Sequence, residues 1–287
     1  MSILRNVIAP LNPLPHLRVY FKYFIFLILA VLGYSCEYYL GMDQQPKFRN
    51  QNIEEGLNVF ALLRPDSIGG FNRSSVYVHK VLPVMQTEGF TILQNTDIKI
   101  TKIINEEIKE TVPFPLVPAN ALFADTLYRP VSYFAPQAGE RYRIVCKHEN
   151  YPEATGETII PPQPEIKQNS LTVSGRVVSF TLSPDSLIGM IDIYHLINNI
   201  HIPVSRIIPS TIEETSVNLN LPFNPSGTKL LLFAYDHNMA VYIGNSNISL
   251  NFNKFRTTIS TLESGFGVFG SMNFREVELG KKFGKGQ

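Results

Sequence analysis

Thr96-Asp97-Ile98-Lys99-Ile100-Thr101-Lys102-Ile103, followed by Asn105-Glu106-Glu107 and then Ile108 to Val112, is the stretch that decides the fold. Apolar and polar residues alternate, which sets Ile98, Ile100 and Ile103 on one face of an extended strand. Asn105-Glu106-Glu107 reads as a hairpin turn into a second strand. The same pattern recurs on either side. Upstream, Leu57, Val59 and Ala61 alternate ahead of turn chemistry in Arg64-Pro65-Asp66 and Gly69-Gly70, and Val76 to Val81 is β-rich. Downstream, Pro113, Pro115 and Pro118 mark a loop, and Tyr128 to Phe134 reads as a short strand. Gly139-Glu140-Arg141 then turns into Tyr142, Ile144 and Cys146, with Arg141, Arg143 and Val145 on the other side, and Thr155 to Ile160 follows. About seven strands at this spacing, without a convincing amphipathic helix, describe a β-sandwich of immunoglobulin or fibronectin type.

Pro161-Pro162-Gln163-Pro164 is a stiff segment poor in sheet donors, a natural boundary. Beyond it, Leu171 to Val173, Val177 to Leu182, Ile191 to Leu196, Val217 to Leu221, Lys229 to Tyr235 and Ile248 to Phe252 read as strands. Met239 to Ile243 fits a helical turn or a strand. His195 and His201 flank an apparent hairpin through Asn198-Asn199. The chain is therefore predicted to be all-β, with two immunoglobulin/fibronectin-like β-sandwich domains over 53–163 and 164–287. The Lys- and Gly-rich end, Lys281 to Gln287, is expected to fray.

The N-terminal part carries an address. Arg18 and Lys22 precede an apolar run from Phe24 to Gly33, about ten residues, the length of a signal-peptide core and short for a membrane span. Ser35 then stands before Cys36, where a bacterial lipoprotein signal is cut and the new N-terminus acylated. Ser35 fits that site; Gly33 and Tyr34 depart from its usual Leu and Ala or Ser. Residues 1–35 are read as the signal peptide, with an upstream extension containing Pro10, Pro13 and Pro15 that an early start codon explains. Cys36 is the lipidation site. The polar, unpatterned residues 36–52 form a tether. No other apolar run approaches 18 residues, so a lipid would be the membrane anchor.

Composition narrows the function classes. A net charge of +1 gives no field for nucleic acid. Of the two cysteines, Cys36 is assigned to lipid, which leaves Cys146 as a buried core thiol and allows no intramolecular disulfide. His148-Glu149, Asp236-His237, His195 and His201 lack the HxH, HExxH or CxxC spacing of a metal site, and the histidines are expected to be solvated in loops. Asp236 is expected to cap a turn by accepting from backbone amides. Asp66, Asp97, Asp185 and Glu263 are the carboxylates that a glycoside hydrolase would need as a close pair. No GxSxG elbow is present. Gly265 to Gly270 matches the letters GxGxxG, but no helix pattern follows and no acid stands some 20 residues on. Tyr38-Tyr39, Tyr128, Tyr133 and Phe134 offer stacking platforms, although a Trp-free sandwich needs most such rings for its core. No catalytic residue, metal ligand or cofactor is assigned.

Three segments carry a resemblance: Leu57 to Asp66; Gly139 to Ile144 continuing to Ala154 to Pro161; and Ala234 to Asn238 with the closing Ser260 to Ser271. With the leader, they resemble a family of Bacteroidota outer-membrane lipoproteins of unknown function (domain of unknown function 4249), over nearly all of the mature chain. The closing Gly-Phe-Gly-Val-Phe-Gly run is the most specific part. The resemblance implies a lipoprotein at the outer membrane, surface- or periplasm-facing, encoded beside a TonB-dependent receptor. It would act as a non-enzymatic accessory or binding component. It transfers no catalytic residues. A structural or adhesive envelope module is the alternative. The partner surface is expected at the Gly/aromatic motif or at exposed strand edges.

Overall fold

The computed structural model describes residues 55–81, 91–244 and 260–280. The leader, Cys36, the tether, Tyr38-Tyr39 and the strand expected at Ile248 to Phe252 lie outside the described residues. The hairpin at the centre of the sequence reading forms as the alternation predicts. Its strands are the fifth and sixth of the series β1 (Leu57–Leu63), β2 (Ser67–Ile68), β3 (Phe71–Asn72), β4 (Ser75–Lys80), β5 (Asp97–Ile104), β6 (Glu107–Pro113), β7 (Leu116–Val117), β8 (Leu127–Tyr128), β9 (Arg141–His148) and β10 (Tyr151–Ile159). Ile104 pairs with Glu107 across Asn105 and Glu106, both at positive φ, which is the geometry a two-residue hairpin turn of matching twist requires. Ile98, Ile100 and Ile103 are buried.

Two sheets face each other here. One runs β1-β4-β8-β7 and the other β10-β9-β5-β6, the strand order of an immunoglobulin-like sandwich. Val59, Ala61, Val76 and Val78 from the first meet Ile98, Ile100, Ile144 and Cys146 from the second. At the start of β9, Tyr142 donates its hydroxyl to Glu140 (2.6 Å), and Glu140 accepts from the Gln137 amide (2.9 Å), locking the turn that enters the strand. The expected strand at Tyr128 to Phe134 shrinks to Leu127–Tyr128. Pro130 has no N–H to continue the ladder.

The second set comprises β11 (Thr172–Ser174), β12 (Val177–Leu182), β13 (Met190–Ile197), β14 (Ile200–Ile207), β15 (Thr215–Asn220), β16 (Thr228–Tyr235), one helix α1 (His237–Ile243) and β17 (Phe266–Leu279). The sheets are β11-β12-β15 and β14-β13-β16-β17. Between them lie Val178, Phe180, Val217 and Leu219 against Ile191, Ile193, Leu230 and Leu232. Asn198 and Asn199, both at positive φ, turn β13 into β14. Met239 to Ile243 resolves as helix, with Asp236 as its N-cap, accepting from the Met239 amide at 2.9 Å.

β17 joins the two sandwiches. Residues Phe266 to Ser271 pair in parallel with β1, and Met272 to Leu279 pair antiparallel with β16. Just before it, Glu263 bridges Thr155 of β10 through two backbone hydrogen bonds of 2.8 and 3.1 Å. Leu262 and Phe269 are thereby buried in the first core. The described residues form one compact unit. Two glycines of the closing motif permit this passage. Gly267 has φ +101°, and a Cβ there would strike the Val59 carbonyl. A Cβ at Gly270 would overlap the Met239 side chain and sit 2.9 Å from Asp236 Oδ1. From Gly267 to Gly270 the motif is buried strand and not a nucleotide loop, while Phe266 stays exposed.

Candidate functional site

On β13 and β16 the alternate residues that point away from the second core are still large and apolar. Ile191, Ile193, Leu230 and Leu232 face inward, while Met190, Tyr194, Leu196, Leu231, Phe233 and Tyr235 lie on the outer face. α1 covers one end of that face. Met239, Tyr242 and Ile243 pack with Met190, Tyr235 and Met272, and with Leu62 and Phe60 of β1. The edge of this cover is pinned by a buried ion pair. Arg206 of β14 grips Asp192 of β13 through two hydrogen bonds, 2.7 and 2.8 Å, and gives a third, 2.8 Å, to the Ile243 carbonyl. The Asp192 hydrogen bond holds the Arg206 guanidinium pKa above its usual range.

Past that ion pair the face opens into a groove of about 740 Å³, within the range of small-molecule sites. An aromatic ladder crosses its floor. Tyr194 meets Phe233 edge-on at 5.5 Å between ring centroids, and Phe233 meets Phe274 of β17 at 6.0 Å. Leu231 and Leu196 complete the apolar floor, and His201 and Pro203 of β14 form a wall. Arg64 and Arg73 of the first sandwich stand at the rim. Arg64 clasps Asp66 in a two-pronged pair of 2.7 and 2.8 Å, and Arg73 reaches the same carboxylate at 3.2 Å. Glu276, also on the groove, is paired with Lys229 at 2.7 Å. Such a surface binds apolar or aromatic groups by stacking and orients them with charge.

The residues singled out in the sequence are dispersed. His195 departs from the expectation of a solvated loop: it lies fully buried on central strand β13. Its Nε2 is 2.7 Å from Thr228 Oγ1, which itself donates to the Pro225 carbonyl, so Nε2 carries the proton. Burial pushes its pKa down, and the ring is a neutral structural group. His201 and His237 are exposed and His148 half-buried; His237 Nε2 lies 2.8 Å from the Ser186 carbonyl. Among the described residues no three His, Cys, Asp or Glu side chains converge as metal ligands. The four carboxylates are engaged separately: Asp66 with arginines, Asp97 with Lys99, Asp185 with the Leu187 amide and Glu263 with Thr155. Cys146 is buried, and burial raises its thiol pKa well above the usual range, as an inert core thiol requires. Tyr128 and Phe134 are core residues, whereas Tyr133 is 87% exposed.

Asp236 sits at a polar seam between the sandwiches. Besides capping α1 it accepts from Thr158 Oγ1 of β10 at 2.5 Å, and Ser271 Oγ lies 3.0 Å from Thr158 and donates to the Ile159 carbonyl. Asn238 and Asn273 donate to the Glu157 and Pro161 carbonyls. Burial raises the Asp236 pKa to about 6 against these hydrogen bonds. Every group here is spent on the joint.

Sequence reasoning missed the groove residues Tyr194, Phe233, Phe274, Arg64 and Arg73. The available signal was apolar bulk on both faces of 190–197 and 228–235, more than a strand with one buried face needs. No family model and no curated protein matches the chain. Among solved structures, the selenomethionine-substituted chicken interferon gamma receptor alpha chain is similar at 8% identity and a TM-score of 0.21, over 63% of this chain and 88% of that one.

Proposed function

We propose that the chain is an exported, lipid-anchored binding module, working without catalysis beside a TonB-dependent outer-membrane receptor. The observation that carries the binding part is the half-covered outer face of the second sandwich. Beyond α1 the fold leaves Phe233 and Phe274 half-buried on the groove, with Tyr194, 8% exposed, in its floor. Contiguous apolar surface of this kind marks a binding site. The anchoring part is supported by the leader from Arg18 to Ser35 and by Cys36 placed directly after it. A lipid at Cys36, followed by the polar stretch 37–52, would confine the groove near a membrane and raise its effective concentration toward a membrane partner. The partner class, a β-barrel receptor, follows from the family resemblance. Fractionation of cells producing the full chain or Cys36→Ser tests the anchor. The wild-type chain is expected in the outer membrane, released only by detergent, and the variant in the soluble fraction. Equal membrane retention of both would sink the lipid assignment.

A further inference from the structure

The sheet β11-β12-β15 ends on β15, and no described strand pairs with its outer edge. The Leu221 amide donates to the Arg176 carbonyl, which continues the antiparallel ladder between β15 and β12. Bonded positions alternate in such a ladder, so Val217 and Leu219 bond β12 while the N–H and C=O groups of Ser216, Asn218 and Asn220 point outward. An unpaired strand edge is a template for another chain, and proteins block it with charge, proline, bulges or short length. The other edges of the described sheets carry such blocks. β6 holds Glu107, Lys109, Glu110 and Pro113. β10 holds Pro152 and a register shift and is bridged by Glu263, and β14 holds Pro203. β7, β11 and the β2-β3 pair are three residues long at most. β15 has no charged residue, no proline and no register shift against β12.

We propose that β15 pairs antiparallel with β15 of a second copy of the chain, about a twofold axis through Asn218, and joins two three-stranded sheets into one. The strand is self-complementary about that residue. Ser216 meets Asn220 of the second copy and Val217 meets its Leu219, so polar faces polar and apolar faces apolar. The three outward residues occupy the hydrogen-bonded positions of this register, about six bonds in all. Val217 and Leu219 already line the second core, so the row across the axis continues that apolar layer. The flanks match as well. Ile212, 83% exposed, lies three residues before the strand, and Phe223, 56% exposed, lies three residues after it. Antiparallel pairing brings Ile212 of one copy to the end that holds Phe223 of the other, which gives each exposed side chain an apolar neighbour. A second copy is the occupant that supplies both the matching strand and the matching flanks. The surface belongs to the sheet opposite the groove, so it stands independently of the ligand site.

Cysteine cross-linking tests the register. Cells producing the full chain with Asn218→Cys are treated with copper phenanthroline, and the products are read on a non-reducing gel. Residues facing each other at a hydrogen-bonded position stand within reach of a disulfide. The parent chain, whose Cys146 is buried, sets the background, and Ser174→Cys, exposed on the opposite edge strand β11, is the control for collisions. Asn218→Cys is expected to give about tenfold more cross-linked dimer than Ser174→Cys. Ser216 and Asn220 are exposed, so their charges can be changed without touching the core. Added to Asn218→Cys, the pair Ser216→Lys and Asn220→Lys sets like charges face to face and should abolish the excess. Ser216→Lys with Asn220→Glu sets opposite charges face to face and should keep it, which separates a lost interface from a lost fold. Equal cross-linking by Asn218→Cys and Ser174→Cys, or by the two charge pairs, would overturn the proposal. So would a cross-linked product whose mass is not that of two chains, since another protein would then occupy the edge.

Discussion

The two sandwiches share one strand order and differ in how they are closed. β1, β4 and β8 against β5, β6, β9 and β10 correspond in turn to β11, β12 and β15 against β13, β14, β16 and β17. The second is closed by its own last strand. The first borrows its closure from residues 262–271, more than a hundred positions away, which bridge β10 and pair with β1. A core that waits for the end of the chain is built on contacts of long sequence separation. The lesson is that the proline-rich segment 161–164 divides the strands into two sets without dividing the chain into two independent parts.

Breaking the borrowed closure outright has the largest expected effect. A chain ended after Pro164 loses the parallel partner of β1 and the burial of Phe269, and it should show no cooperative thermal transition by circular dichroism. Next come paired core truncations. Phe269→Ala in the borrowed segment should cost about 3–5 kcal/mol, and Leu232→Ala in the second core about 2–5 kcal/mol, by denaturant unfolding. Because β17 is common to both sandwiches, each variant should shift a single shared transition. Two separating transitions would show that the sandwiches unfold independently and that the shared strand couples nothing.

The seam between them has a pH dependence. The Asp236 pKa is raised by burial from 3.8 to about 6 in the folded chain. A carboxyl raised on folding contributes stability that is full below the unfolded value and is lost as pH rises through the folded one. The chain should therefore be more stable, and melt at higher temperature, at pH 5 than at pH 7.5, by about 1.4 kcal/mol, since about one pH unit of the shift lies above pH 5. Asp236→Asn should flatten that slope. An unchanged slope in the variant would assign the effect elsewhere. The smallest effect sharpens the comparison inside the first sandwich. Tyr142→Phe removes the hydroxyl bond to Glu140 at the entry to β9, and should cost about 1 kcal/mol in chemical denaturation.

Much of this architecture was legible in the sequence because alternation and turn chemistry are local. Ile98 and Ile100 announced a half-buried strand, Asn198-Asn199 a hairpin, and Asp236 a cap. The joint was not legible. Gly267 and Gly270 are glycines because Val59, Met239 and Asp236, far off in sequence, occupy the space a side chain would need. His195 looked like a loop residue because its acceptor, Thr228, lies 33 positions away. The groove was hidden for a related reason. Tyr194 and Phe233 fall in segments that read simply as strands, and how far α1 covers their outer face is set by packing that local sequence does not carry.

Affinity purification of the full chain from detergent-extracted membranes, followed by mass spectrometry, tests the central claim most directly. The expected result is a chain that begins at an acylated Cys36 and brings a β-barrel outer-membrane receptor with it. A chain with a free thiol at Cys36 and no barrel in the eluate would contradict the account.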